Sequence, residues 1–152
     1  MDFDFEELYQ SVILDHSRKP RNFGPLADAT VTVKGDNPTC GDEMSVSLKI
    51  DPDQDKIAGI GIFGEACSIC MASASMMTVT VKGKTRAEAK AIWHDFQDMI
   101  TGKTEAAAAP ASLGNLRLLS GVRRFPQRVK CATLAWHALK GALDQDGASD
   151  DI

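Results

Sequence analysis

Met44-Ser45-Val46-Ser47-Leu48-Lys49-Ile50 is the stretch that decides the fold. Apolar residues alternate with polar ones, so Met44, Val46, Leu48 and Ile50 share one side of an extended chain, a half-buried strand. Asp51-Pro52-Asp53 is the turn that closes it. Beyond the turn, Ile57 to Phe63 reads as a second strand, apolar on both faces. Before it, Thr30 to Lys34 is short and β-branched, with Val31 and Val33 on one face. Short links between the three favour an antiparallel meander. Gly59, Gly61 and Gly64 imply that another backbone passes close to the third strand.

Outward from this core the periodicity becomes helical. Phe5, Leu8, Tyr9, Val12 and Ile13 form one apolar face of a first helix. Asp4 and Glu7 have capping spacing at its start, and Arg18-Lys19-Pro20 ends it. A helix is expected from Ser68 to about Gly83, with small residues at Ala72 to Ser75 for close packing and bulk at Met76, Met77 and Val79. Thr85-Arg86-Ala87-Glu88 is a capping box opening a helix that Gly102 ends. Glu105 to Ala111 is Ala- and Pro-rich and reads as a surface loop. Leu113, Leu116, Leu119 and Val122 predict a short apolar helix. Pro126 suits the first turn of a last helix that runs to Leu143. The expectation is one α+β domain over residues 1–143, a three-stranded antiparallel sheet packed with five or six helices, and an acidic flexible tail over 144–152.

Composition narrows the function. The chain has 152 residues, 43% hydrophobic and 25% charged, with a net charge of -4. That balance fits a soluble domain and does not favour nucleic acid as a partner. No stretch approaches the roughly 20 apolar residues that cross a bilayer. The acidic start, Met1-Asp2-Phe3-Asp4, lacks a signal pattern, and a cytoplasmic protein is expected. In that setting four cysteines point to free, catalytic or metal-bound thiols rather than disulfides.

Asn37-Pro38-Thr39-Cys40-Gly41-Asp42 places a thiol and a carboxylate in one turn between the first two strands. Cys67 stands at the mouth of a helix, and Cys131 lies near the start of the last one, between the cations Arg128 and Lys130. Helix N-termini and nearby cations favour thiolate. Loop tips and helix starts can gather at one end of a small sheet, and three thiolates with a carboxylate suit tetrahedral Zn²⁺. Closed structural sites are usually all Cys and His, so an Asp ligand marks an exchangeable site. Only Cys67-Ser68-Ile69-Cys70 has CxxC spacing, which is also a thioredoxin-like redox signature. Metal ligation, redox chemistry and inert buried cysteines stay open at this point. His16 reads as a residue holding its helix end, His94 and His137 as surface or boundary residues, Met71, Met76 and Met77 as core filler, and Arg123-Arg124 as a solvated basic turn.

Five segments carry a family resemblance: residues 14–24 (Leu14 to Gly24), Asn37 to Asp42, Gly64 to Ile69, Ala72 to Thr78, and Arg128 to Trp136. With them the chain resembles the SufU/IscU family of iron–sulfur cluster assembly proteins. Two features favour the SufU branch. Lys130 stands where IscU-type proteins usually carry His, and Thr101 to Arg124 matches an insertion of SufU-type proteins. The resemblance implies a zinc site of Cys40, Asp42, Cys67 and Cys131. It implies a zinc-dependent sulfurtransferase that accepts persulfide sulfur on Cys40 from a PLP-dependent, SufS-like cysteine desulfurase and passes it to a SufBCD-like cluster scaffold. In the family a desulfurase histidine can replace a zinc ligand and free that thiolate. Arg128 would orient or activate Cys131. The alternative is a scaffold holding iron or an iron–sulfur cluster on the same cysteines. Cys70 departs from the family pattern, where Ser or another small residue is common.

Overall fold

In the computed structural model the described residues are 4–38, 40–105 and 108–145, with side chains described from residue 11 onward. The expected cap at Asp4 and Glu7, the apolar contacts of Phe5, Leu8 and Tyr9, and the tail beyond Gln145 lie outside that range. Helix α1 spans Asp4–Arg18. Strands β1 (Val31–Asn37), β2 (Asp42–Asp51) and β3 (Lys56–Glu65) follow, then helices α2 (Ser68–Val81) and α3 (Arg86–Ile100). A 3₁₀ segment, Ala111–Arg124, precedes helix α4 (Pro126–Gln145). The fold is α+β, as the sequence predicts.

The sheet is an antiparallel meander in the order β1-β2-β3. Val33 pairs with Val46, and Val46 in turn with Ile62. Met44, Val46 and Leu48 are fully buried on the core face, where α4 crosses the sheet. Gly35 leaves room for that crossing, because a Cβ there would meet Leu134 Cδ1 at 3.2 Å. Trp136 of α4 stacks on Phe96 and Trp93 of α3, at 4.9 and 5.7 Å between ring centroids. Stacked aromatic pairs contribute beyond their buried area.

The second face of β3 differs from expectation. It carries Gly59 and Gly61 beside Phe63, and the chain after α1 pairs with the edge of β3 at Phe23 and Ile62 and then passes over the two glycines. Gly24 N–H donates to Ile62 O at 2.7 Å, and Ile62 N–H donates to Asn22 O at 3.0 Å. A Cβ on Gly61 would stand 2.6 Å from Gly24 O, so only glycine admits this approach. The sequence pattern showed the close approach but not its source.

The Leu113 to Val122 segment is 3₁₀ rather than α, and it is broken at Gly114 (φ 53°, ψ −129°). Its leucines still reach the core, since Leu113, Leu116 and Leu119 are fully buried. The capping box at Thr85 and Glu88 forms as expected, each side chain bonding the other's backbone N–H. No helix among the described residues is long and apolar enough to cross a membrane.

Candidate metal centre

The end of the sheet where β1 turns into β2 carries the site. Asn37 O accepts from Gly41 N–H at 2.8 Å and from Cys40 N–H at 3.2 Å, which closes a turn. Gly41 has φ +77°, a left-handed conformation that glycine adopts without penalty. The turn leaves Cys40 exposed and makes Asp42 the first, buried residue of β2, 2% exposed. At the far end of β3, Cys67 caps α2, and its sulfur accepts from Cys70 N–H at 3.5 Å. Cys131 enters from the second turn of α4 and is buried.

These elements converge. One ligand atom each from Cys40, Asp42 and Cys131 lies within 4.8 Å of the other two. Cys67 stands beside them. Its amide donates to Asp42 Oδ1 at 2.9 Å, and its sulfur is 3.9 Å from Asp42 Oδ2. All four residues singled out as ligands therefore meet at one end of the sheet. Arg128 lies at the rim with its guanidinium 5.2 Å above the Phe125 ring, which holds it by a cation–π contact. A cleft of about 630 Å³ opens over the site, lined by Ile13 and Leu14 of α1, Cys40, Cys67, Ile69, Arg128 and Cys131 among others.

Burial at Cys131 works against the thiolate that the sequence leads one to expect, and Arg128 and Lys130 are exposed. Burial pushes the Cys131 thiol up, and hydrogen bonding to Asp42 and Cys67 adds to that. The thiol sits six residues into α4, past the helix N-terminus, so the dipole gives it little help. Cys70 is fully buried and is pushed up by burial first, then by the charges of Asp42, Cys67 and Cys40.

A metal cation fits this arrangement. Asp42 is a buried carboxylate that faces thiols, and no lysine, arginine or histidine pairs with it among the described residues. Buried charge needs a partner of opposite sign. Three sulfurs and one carboxylate oxygen are the donor set expected of tetrahedral Zn²⁺, and thiolates also suit iron–sulfur clusters. No histidine belongs to the group. His16 is buried elsewhere, its Nδ1 2.7 Å from Ser75 Oγ, so it holds the α1 end as expected. His94 is exposed, and His137 packs edge-on against Trp93 at 5.1 Å.

Sequence reasoning missed two features near the site. Ile13 and Leu14 line the cleft, a role that helical periodicity cannot show because it reports a buried face and not the neighbour. Phe125 supports Arg128. The adjacency of an aromatic and an arginine three residues apart was the available signal.

Comparison with known proteins agrees with the geometry. Residues 8–132 match the NifU-like N-terminal domain. The chain is 46% identical to the iron–sulfur cluster assembly scaffold protein IscU of Streptococcus pyogenes, over 95% of this chain and 88% of that one. It is 44% identical to the zinc-dependent sulfurtransferase SufU of Bacillus subtilis, over 96% of this chain and 97% of that one. Among solved structures it is similar to an iron–sulfur cluster assembly scaffold protein of the SUF system from Fervidobacterium islandicum. The TM-score is 0.81 at 30% identity, covering 91% of this chain and 98% of that one. On the family match over residues 8–132 and these identities, the chain belongs to the IscU/SufU family of iron–sulfur cluster assembly proteins.

Proposed function

We propose that this protein is a zinc-dependent sulfurtransferase that relays sulfur from a PLP-dependent cysteine desulfurase, SufS-like, to a SufBCD-like cluster scaffold. The observation that carries the reading is the placement of Cys40. It is exposed on a glycine turn, yet its sulfur shares a site with buried Asp42 and Cys131. Such a thiol can be sheltered by the site and still be reached by a partner. Lys130 before Cys131 and the extra length from about Thr101 to Arg124 support the same branch.

Cys40, Asp42, Cys67 and Cys131 would hold the metal. Zinc bound there would keep the sulfurs as thiolates and add its binding free energy to the fold. The residues do the rest. The Cys40 thiolate attacks the outer sulfur of a persulfide on the desulfurase cysteine. A new S–S bond forms on Cys40, the old one breaks, and the desulfurase cysteine leaves as thiolate. The same exchange on an acceptor thiolate passes the sulfur on. Asp42 fixes the mouth of α2 through the Cys67 amide, and Arg128 sets a positive charge at the rim where an anionic persulfide arrives.

The test is the intact mass of zinc-loaded protein after anaerobic incubation with a cysteine desulfurase and cysteine. Sulfur is gained, is lost on reduction and is absent in Cys40→Ala. Transfer at an undiminished rate in that variant removes Cys40 from its role, and Arg128→Ala with retained zinc and full activity removes Arg128. The scaffold reading is supported by the naming of the Streptococcus pyogenes relative. It predicts a coloured product when iron is supplied, with no stable sulfur adduct.

A further inference from the structure

Cys70 is the one cysteine the proposed relay does not use. It is fully buried, one turn into α2. Cys67 is exposed and occupies the N-cap of the same helix, with its sulfur accepting the Cys70 N–H at 3.5 Å. An N-cap residue and the third residue of its helix have Cα atoms roughly 5–6 Å apart, within the span a disulfide bridges. One thiol is therefore open to solvent, and the second waits behind it on the same turn. Cys40, Asp42 and Cys131 form the tight group, and the two thiols outside it are Cys67 and Cys70.

We infer that Cys67 and Cys70 form a peroxide-responsive dithiol, and that closing it as a disulfide withdraws Cys67 from the site. Hydrogen peroxide transfers one oxygen to the exposed Cys67 thiol, giving a sulfenic acid and releasing water. The Cys70 thiol attacks that sulfur, the S–O bond breaks and a second water leaves. The two thiols lose two electrons in all and the peroxide gains them. A dithiol reductant restores both thiols by exchange.

The pairing itself needs neither metal nor sulfur transfer, while its effect on the site rests on the proposed zinc site. Full-length metal-free protein is treated anaerobically with stoichiometric peroxide, its remaining thiols are alkylated and its peptides are mapped by mass. The expected product is an unalkylated peptide holding Cys67 and Cys70 joined, recovered as two alkylatable thiols after reduction. A bridge from Cys67 to Cys40 or Cys131, or a Cys67 sulfinic acid beside a Cys70 still open to alkylation on unfolding, overturns it. A second arm uses zinc-loaded protein and a chromogenic chelator. Peroxide should release zinc reversibly from the native chain and about tenfold more slowly from Cys70→Ser, with Cys70→Ala as the alternative should the serine variant fail to fold. Equal release from native and variant chains overturns the link to the metal, while the wild-type map still decides the disulfide.

Discussion

Two groups of polar residues lie along α2 and they are built oppositely. At the middle of the helix, Ser73, Ser75 and Thr78 are fully buried and each is partnered. Ser73 donates to Ala132 O at 2.6 Å and accepts from Trp136 Nε1–H at 3.2 Å. Ser75 accepts from Arg21 N–H at 2.8 Å and meets His16 Nδ1 at 2.7 Å. Thr78 donates to Ser75 O at 2.7 Å and accepts from Asn22 Nδ2 at 2.9 Å. At the mouth of the helix, Cys40, Cys67 and Cys131 crowd around the buried Asp42 carboxylate, which has no cationic side chain paired with it among the described residues. A closed network needs nothing further and fixes α1 and α4 on α2. An open one calls for a cation. The first kind of polar cluster is structural, and the second is the sign of a site.

That contrast can be broken by experiment. The largest effect belongs to the metal. Zinc at a thousandfold excess over its Kd should stabilise the fold by about 4 kcal/mol, read as a Tm rise that a chelator reverses. An unchanged Tm would mean that the four residues do not hold zinc in the folded chain. Next comes Ser75→Ala, which strands His16 and the Arg21 amide. It should cost about 1–3 kcal/mol equally with and without zinc, measured by urea unfolding. Asp42→Asn keeps an acceptor for the Cys67 amide and removes the charge. It should leave the metal-free protein within about 1 kcal/mol of the parent while reducing the zinc-dependent gain. Were it to cost the metal-free protein as much as Ser75→Ala does, the site end would be structural too.

The smallest effect is the pH dependence of the seam. Burial and the Arg21 charge hold the His16 pKa below the usual histidine value, with the Asp15 charge opposing them. The unfolded chain then takes up the proton first as pH falls. The stability that neutral His16 contributes is complete above about pH 6.5 and is lost as pH drops toward the folded value. Tm measured from about pH 7 to 5 should decline in the parent and decline less in His16→Gln.

Much of this was legible before the fold was known. Alternation in Met44 to Ile50 set one face of β2, and the short links made the sheet a meander. Thr85 and Glu88 announced their cap by spacing alone, because capping is local. Cys40, Asp42, Cys67 and Cys131 could be named as one set from residue types and family segments. The Ser residues of α2 were read as small packing residues, and their role as a hydrogen-bonded seam was hidden because their partners lie more than fifty residues away.

By itself the sequence determined what acts over a few residues: strand and helix periods, caps, the Gly41 turn and the chemistry of the donor set. The tertiary structure decided what depends on distant chain meeting in space. It paired residues 22–24 with the edge of β3 and brought Gly24 and Leu26 against its glycines, and it set the leucine-rich stretch as 3₁₀ turns whose leucines reach the core. It also decided how deeply Cys131 is buried, which opposes the cations beside it in the chain, because a thiol's protonation answers to burial and through-space neighbours as well.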